Sequence, residues 1–101
     1  MNIDRVSVAP EAIEQFCREH HLRELSIFGS VLRSDFRADS DIDVLIELEP
    51  DQTMTIERFM LMRDELEAML GRPIDLVEKP LLRNPFRRRE ILRTRKVLYA
   101  A

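Results

Sequence analysis

Two stretches of the chain alternate apolar and polar positions with the period of a strand. Leu22–Phe28 sets Leu25 and Ile27 on one face, and Ile42–Leu48 sets Ile42, Val44, Ile46 and Leu48 on one face. A third run, PIDLVE at residues 73–78, lies between breakers and is too short for a stable helix, so it reads as a third strand. Helical spacing takes over elsewhere. Residues 9–20 carry Ile13, Phe16, Cys17 and His20 at i, i+3, i+4 and i+7, with Pro10 and Glu11 suited to the first turn. The longest helix starts at Thr53 or Thr55 and runs to about Leu70. Met54, Ile56, Phe59, Met62 or Arg63, Leu66 and Met69 trace its buried side, and Gly71 closes it ahead of Pro73. A last helix over residues 86–95 takes Phe86, Ile91 and Leu92 as its apolar anchors, and a short helical turn is expected within residues 30–36. The terminal VLYA reads as a short strand or an ordered tail. Helices and strands alternate without a dinucleotide-binding glycine pattern, so the predicted class is α+β: a small mixed β-sheet with helices packed mainly on one face.

Composition narrows the picture. A chain of 101 residues with 45% apolar and 35% charged residues is expected to form one globular domain over residues 1–101. No apolar run approaches a membrane span, and the opening MNIDRVSV lacks the apolar segment of a signal peptide. A lone cysteine, Cys17, excludes an internal disulfide and sits on an apolar stripe as a small core residue; the expected compartment is the cytoplasm. Net charge is −3, with acids crowded over residues 35–51 and arginines over residues 83–96.

The candidate chemistry lies in SIFGSVLRSDFRADSDIDVLIE, residues 26–47. Asp41 and Asp43 are two apart at the start of the second strand and so share a face. Two adjacent carboxylates repel and are costly to desolvate, which calls for a hard cation such as magnesium between them. Gly29-Ser30 ends the preceding strand. A glycine there lets backbone approach a ligand, and the following helical turn favours an anion. A phosphate cradle beside a carboxylate pair is what a nucleoside triphosphate needs.

Gly29-Ser30, ten intervening residues and then Asp41-Ile42-Asp43 match the GS-x10-DxD pattern, so the chain resembles the DNA polymerase β-like nucleotidyltransferases. IFGSVLR and ADSDIDVLIE are similar to the minimal nucleotidyltransferases, the MNT antitoxins that act beside HEPN toxins. The resemblance covers nearly the whole chain and implies the nucleotidyltransferase (polymerase β-like) fold. It further implies that Ser30 and the backbone at Gly29 hold the β- and γ-phosphates of ATP, and that Asp41 and Asp43 bind Mg2+. GRPIDLVE is similar to the family's third strand, which places the third metal-binding carboxylate on Asp75, there to position or deprotonate the attacking hydroxyl. Carboxylates from two neighbouring strands can reach a pair of ions about 3.5–4 Å apart, which two on one strand cannot enclose. Arg33 stands where the family commonly carries arginine, to reach the triphosphate or brace the turn; a plain surface arginine is the alternative. Ser34 replaces the family's usual glycine, which bears on local loop geometry. Glu47 shares Asp43's face but lies roughly 13 Å along the strand, a rim charge and not a ligand.

The implied activity is transfer of AMP from ATP to a tyrosine of a cognate HEPN RNase toxin, neutralising it, with an oligomer formed with that toxin. The alternative is a stoichiometric binding antitoxin whose site is vestigial or only senses nucleotide. The C-terminal arginines are either an interface for the toxin or a solvated helix face pairing Glu90. Negative net charge and low aromatic content argue against direct nucleic-acid binding.

Overall fold

The structure, a computed structural model, describes residues 2–3, 6–32 and 40–101, with side chains described from residue 8 onward within those ranges. A short antiparallel ladder joins β1 (Asn2–Ile3) to β2 (Val6–Ser7). Then come α1 (Pro10–Glu19), β3 (Leu22–Phe28), a 3-10 turn at Gly29–Leu32 and β4 (Ile42–Leu48). They are followed by α2 (Ile56–Leu70), β5 (Ile74–Glu78), a second 3-10 turn at Lys79–Leu81, α3 (Pro85–Thr94) and β6 (Lys96–Ala100). The main sheet has the order β5-β4-β3-β6. β3 runs antiparallel to both β4 and β6, whereas β4 and β5 are parallel, so the sheet is mixed and the class is α+β.

Local chemistry fixes the ends of the helices. The Thr55 hydroxyl accepts from the Arg58 amide at 3.1 Å, capping α2, and Gly71 ends it in the left-handed conformation at φ 70°. Pro10 and Pro85 occupy the first turns of α1 and α3, where a missing N–H costs nothing, and Asn84 caps α3 through the Phe86 and Arg87 amides. The parallel β4–β5 pair needs a crossover, which α2 supplies.

Strand alternation divides the core in two. Leu25, Ile27, Ile42, Val44, Ile46, Ile74 and Leu76 face α1 and α2, where they meet Ile13, Phe16, Cys17, Met62 and Leu66. Phe28 and Leu45 face the other way and are covered by Leu82 and Ile91. Each such burial is worth about 1.5–3 kcal/mol. Cys17 is fully buried, as its place on the α1 stripe predicts, and burial pushes its thiol up to about 12. His20 on the same stripe lies 2.7 Å from a Glu65 carboxylate oxygen and tilts against the Phe16 ring. No described helix is long and apolar enough to cross a membrane.

Two predicted anchors are on the surface instead. Ile56 is 74% exposed and Phe86 is 83% exposed. Ile56 lies roughly 100° around the helix from the midline of Met62 and Leu66, too far to share their face. Phe86 is five residues from Ile91, roughly 140° around α3, so burying one turns the other outward. The chain's end, open in the sequence, is the edge strand β6 paired with β3.

Candidate active site

The sheet face beneath α3 changes character along its length. At one end, Phe28 of β3 pairs with Asp43 of β4, and Asp43 pairs with Asp75 of β5. The three form one row across three strands. Neighbouring strands lie about 4.8 Å apart, and residues in register present their side chains to the same face. The next positions inward, Leu45 and Val77, are also in register and form the apolar belt under Leu82, Ile91 and Leu92. The far end is ionic. Glu24 and Glu47 are cross-strand neighbours, and Lys79 bridges them at 3.6 and 3.5 Å. Arg95 Nε donates to Glu24 at 2.8 Å, and the buried Ser26 hydroxyl donates to the same carboxylate at 3.0 Å. Burial is the largest influence on Glu24 and raises its pKa. The hydrogen bonds from Arg95 and Ser26, with the charges of Lys79 and Arg95, outweigh it and leave the carboxyl below its usual range. Glu47 is therefore held in this network, well away from Asp43.

Gly29 follows Phe28 directly and takes φ +73°, a conformation that favours glycine. A Cβ at this position would sit 2.2 Å from Asp43 Oδ2, so the bare backbone is what lets the carboxylate lie against the turn. Ser30 is the next residue of the same 3-10 turn and is half-buried. The turn and the acid are thus in contact, and Asp75 is one strand beyond. Asp41 immediately precedes β4 and is exposed, as is Asp75, while Asp43 is half-buried. Arg33 and Ser34, together with Arg37 of the same stretch, lie outside the described residues.

The donor chemistry of Asp41, Asp43 and Asp75 fits a hard divalent cation: three carboxylates, two of them in register on adjacent strands. Among the described residues no three acidic, histidine or cysteine side chains are already drawn into a metal cage. Asp41 and Asp75 are exposed, and exposed side chains change rotamer within nanoseconds.

A feature that the sequence left unread adjoins the turn. A cleft of about 460 Å³ opens between Phe28, Gly29 and Leu32 on one side and Arg87, Glu90, Ile91 and Thr94 of α3 on the other. The spacing 87, 91, 94 is one face of a helix and was the available signal, hidden among the arginines of residues 83–96. Those arginines have separate fates. Arg93 pairs with Glu90 at 2.8 Å, Arg88 donates to the carbonyl of Lys79 at 3.0 Å, and Arg95 joins Glu24.

Comparison with known proteins agrees with this geometry. Over 63 residues the chain is 36% identical to the protein adenylyltransferase MntA of Thermococcus cleftensis, a match covering 62% of each chain. A solved structure described as a candidate minimal nucleotidyltransferase superposes with a TM-score of 0.71 at 32% identity, covering 86% of both chains. A chain from the complex of a tri-AMPylated Shewanella oneidensis HEPN toxin with its MNT antitoxin shares the fold, with a TM-score of 0.65 at 18% identity over 91% of this chain and 70% of that one. The nucleotidyltransferase domain model matches residues 10–98, and the chain belongs to that family.

Proposed function

We propose that this protein is an antitoxin that transfers AMP from ATP to a tyrosine of a cognate HEPN RNase toxin, with Mg2+ as the metal. The observation that carries the reading is the contact of the Gly29 turn with Asp43, with Asp75 in register on the next strand. Such a site has an anion-binding turn and hard oxygen donors within one ligand's reach. In it, Ser30 and the Gly29 backbone hold the β- and γ-phosphates, and Asp41, Asp43 and Asp75 would hold the metal, which would supply charge neutralisation at the phosphates. Asp75 orients the incoming hydroxyl and accepts its proton. The hydroxyl oxygen bonds to the α-phosphorus, the α–β bridging bond breaks, and pyrophosphate leaves. The adenylyltransferase name of the Thermococcus cleftensis relative and the AMP-bearing toxin of the Shewanella oneidensis complex support the direction of transfer and the class of acceptor.

Coexpression of the toxin with wild type and with the Asp41→Ala/Asp43→Ala variant, followed by mass spectrometry of the toxin, tests this. AMP adducts on a toxin tyrosine with wild type and none with the variant are expected. An unmodified toxin with both, still neutralised by both, would replace catalysis with stoichiometric binding.

A further inference from the structure

The cleft beside Gly29 has a wall chemistry that the acids and the turn do not use. Phe28, Leu32 and Ile91 give it an apolar floor, with Phe28 and Ile91 buried beneath it. Of the polar groups at its rim, Glu90 is bound through both oxygens to Arg93, and the Thr94 hydroxyl donates to the Glu90 carbonyl at 2.7 Å. The guanidinium of Arg87 makes no hydrogen bond or ion pair among the described residues. Among the described residues the cleft is therefore an apolar slot with one uncommitted planar cation at its edge, and it falls within the roughly 300–1,000 Å³ range of small-molecule sites.

A guanidinium at the edge of an apolar slot can stack, with cation–π character, on a flat heteroaromatic ring held there. Gly29 belongs both to the slot and to the turn against Asp43, so one ligand can span the two. We infer that the α3 cleft holds the base of the nucleotide whose phosphates lie on the Gly29-Ser30 turn, and that Arg87 stacks on that base. This rests on the nucleotidyltransferase reading and deepens it: α3 becomes the element that recognises the nucleoside, while the turn and the acids handle the phosphates. The arginine stretch is then divided, with Arg87 serving the small-molecule substrate.

Equilibrium binding of ATP and of inorganic tripolyphosphate, each with magnesium, to wild type, Arg87→Ala and Thr94→Phe tests the inference. Both substituted positions are exposed, and thermal melts check that the variants fold. Loss of the stacking partner, or a phenyl ring filling the slot, is expected to weaken ATP about tenfold or more while leaving tripolyphosphate within about twofold. Unchanged ATP affinity in both folded variants overturns the cleft assignment and leaves the transferase reading standing. Equal weakening of ATP and tripolyphosphate also overturns it, because Arg87 would then be meeting phosphate. Failure of wild type to bind ATP at all removes the transferase reading itself, and the cleft assignment with it.

Discussion

The carboxylate of Asp43 occupies the space that a side chain on Gly29 would need: a Cβ there would come within 2.2 Å of Oδ2. Contact between turn and acid thus depends on one missing atom, and the φ of +73° adds a second reason for glycine. Gly29→Ala is expected to destabilise the fold by about 1–2 kcal/mol from the left-handed backbone alone. It also displaces Asp43, so AMP transfer should fall further than stability does. Urea unfolding beside a transfer assay separates the two effects; a variant with wild-type stability and activity would refute the contact.

Asp43 and Asp75 are like charges placed side by side by the parallel register. Like charges directly opposite each other destabilise a sheet by a few tenths of a kcal/mol or more. Asp75→Asn is therefore expected to melt at or slightly above the wild-type temperature without metal, yet to lack the upward shift with magnesium that the proposed metal site predicts for wild type. Its transfer rate should drop by a factor of about 100 or more if Asp75 has the proposed general-base role. Thermal melts with and without magnesium check the first part, and single-turnover transfer checks the second.

Glu24 sets an acid limit. Its folded pKa lies below the ordinary value of 4.5, so its contribution to stability is complete above about that pH and is lost as the pH falls through the folded value. Glu24→Gln should lower stability at pH 7 and flatten the acid limb of the stability curve below pH 4.5. Denaturant midpoints measured from pH 7 down to pH 3 give the comparison; parallel curves for the two proteins would show that the network around Arg95 and Lys79 contributes no pH dependence.

Cys17 sets an alkaline limit. The thiol is raised from 9.0 in the unfolded chain to about 12 in the fold, so its contribution is fully present below pH 9 and is lost as the pH climbs toward the folded value. Cys17→Ala should remove that loss while creating only a small cavity. The native thiol should also resist alkylation at pH 8, because the thiolate is the reactive form. Rapid labelling of folded protein at that pH would contradict the burial.

The strands were the most legible part of the chain. Leu22–Phe28 and Ile42–Leu48 stand where the alternation puts them, because one face of each is committed to α1 and α2. Gly71 ends α2 as predicted, in the left-handed conformation that glycine adopts without strain. Ile56 and Phe86 lie on the surface because neither shares the angular position of the buried residues of its helix, so apolarity without phase marks the wrong anchors. At the site, parity placed Asp41 and Asp43 at the head of β4. Parity alone could not supply the register that sets Asp75 beside Asp43. That depends on how far α2 carries the chain before it returns. The α3 cleft is only half legible for a related reason: the 87, 91, 94 spacing marks one wall, and the other wall comes from elements distant in the sequence.

The parallel pairing of β4 with β5 also governs when the site can exist. Asp43 and Asp75 belong to strands separated by all of α2, and a parallel return is possible only after that helix has been made and docked. During synthesis, the ribosome must therefore release the chain through Glu78 before the two acids can meet. A truncated product ending within α2 would carry the Gly29 turn and Asp43 without Asp75, so under the proposed function an unfinished chain could not modify a partner.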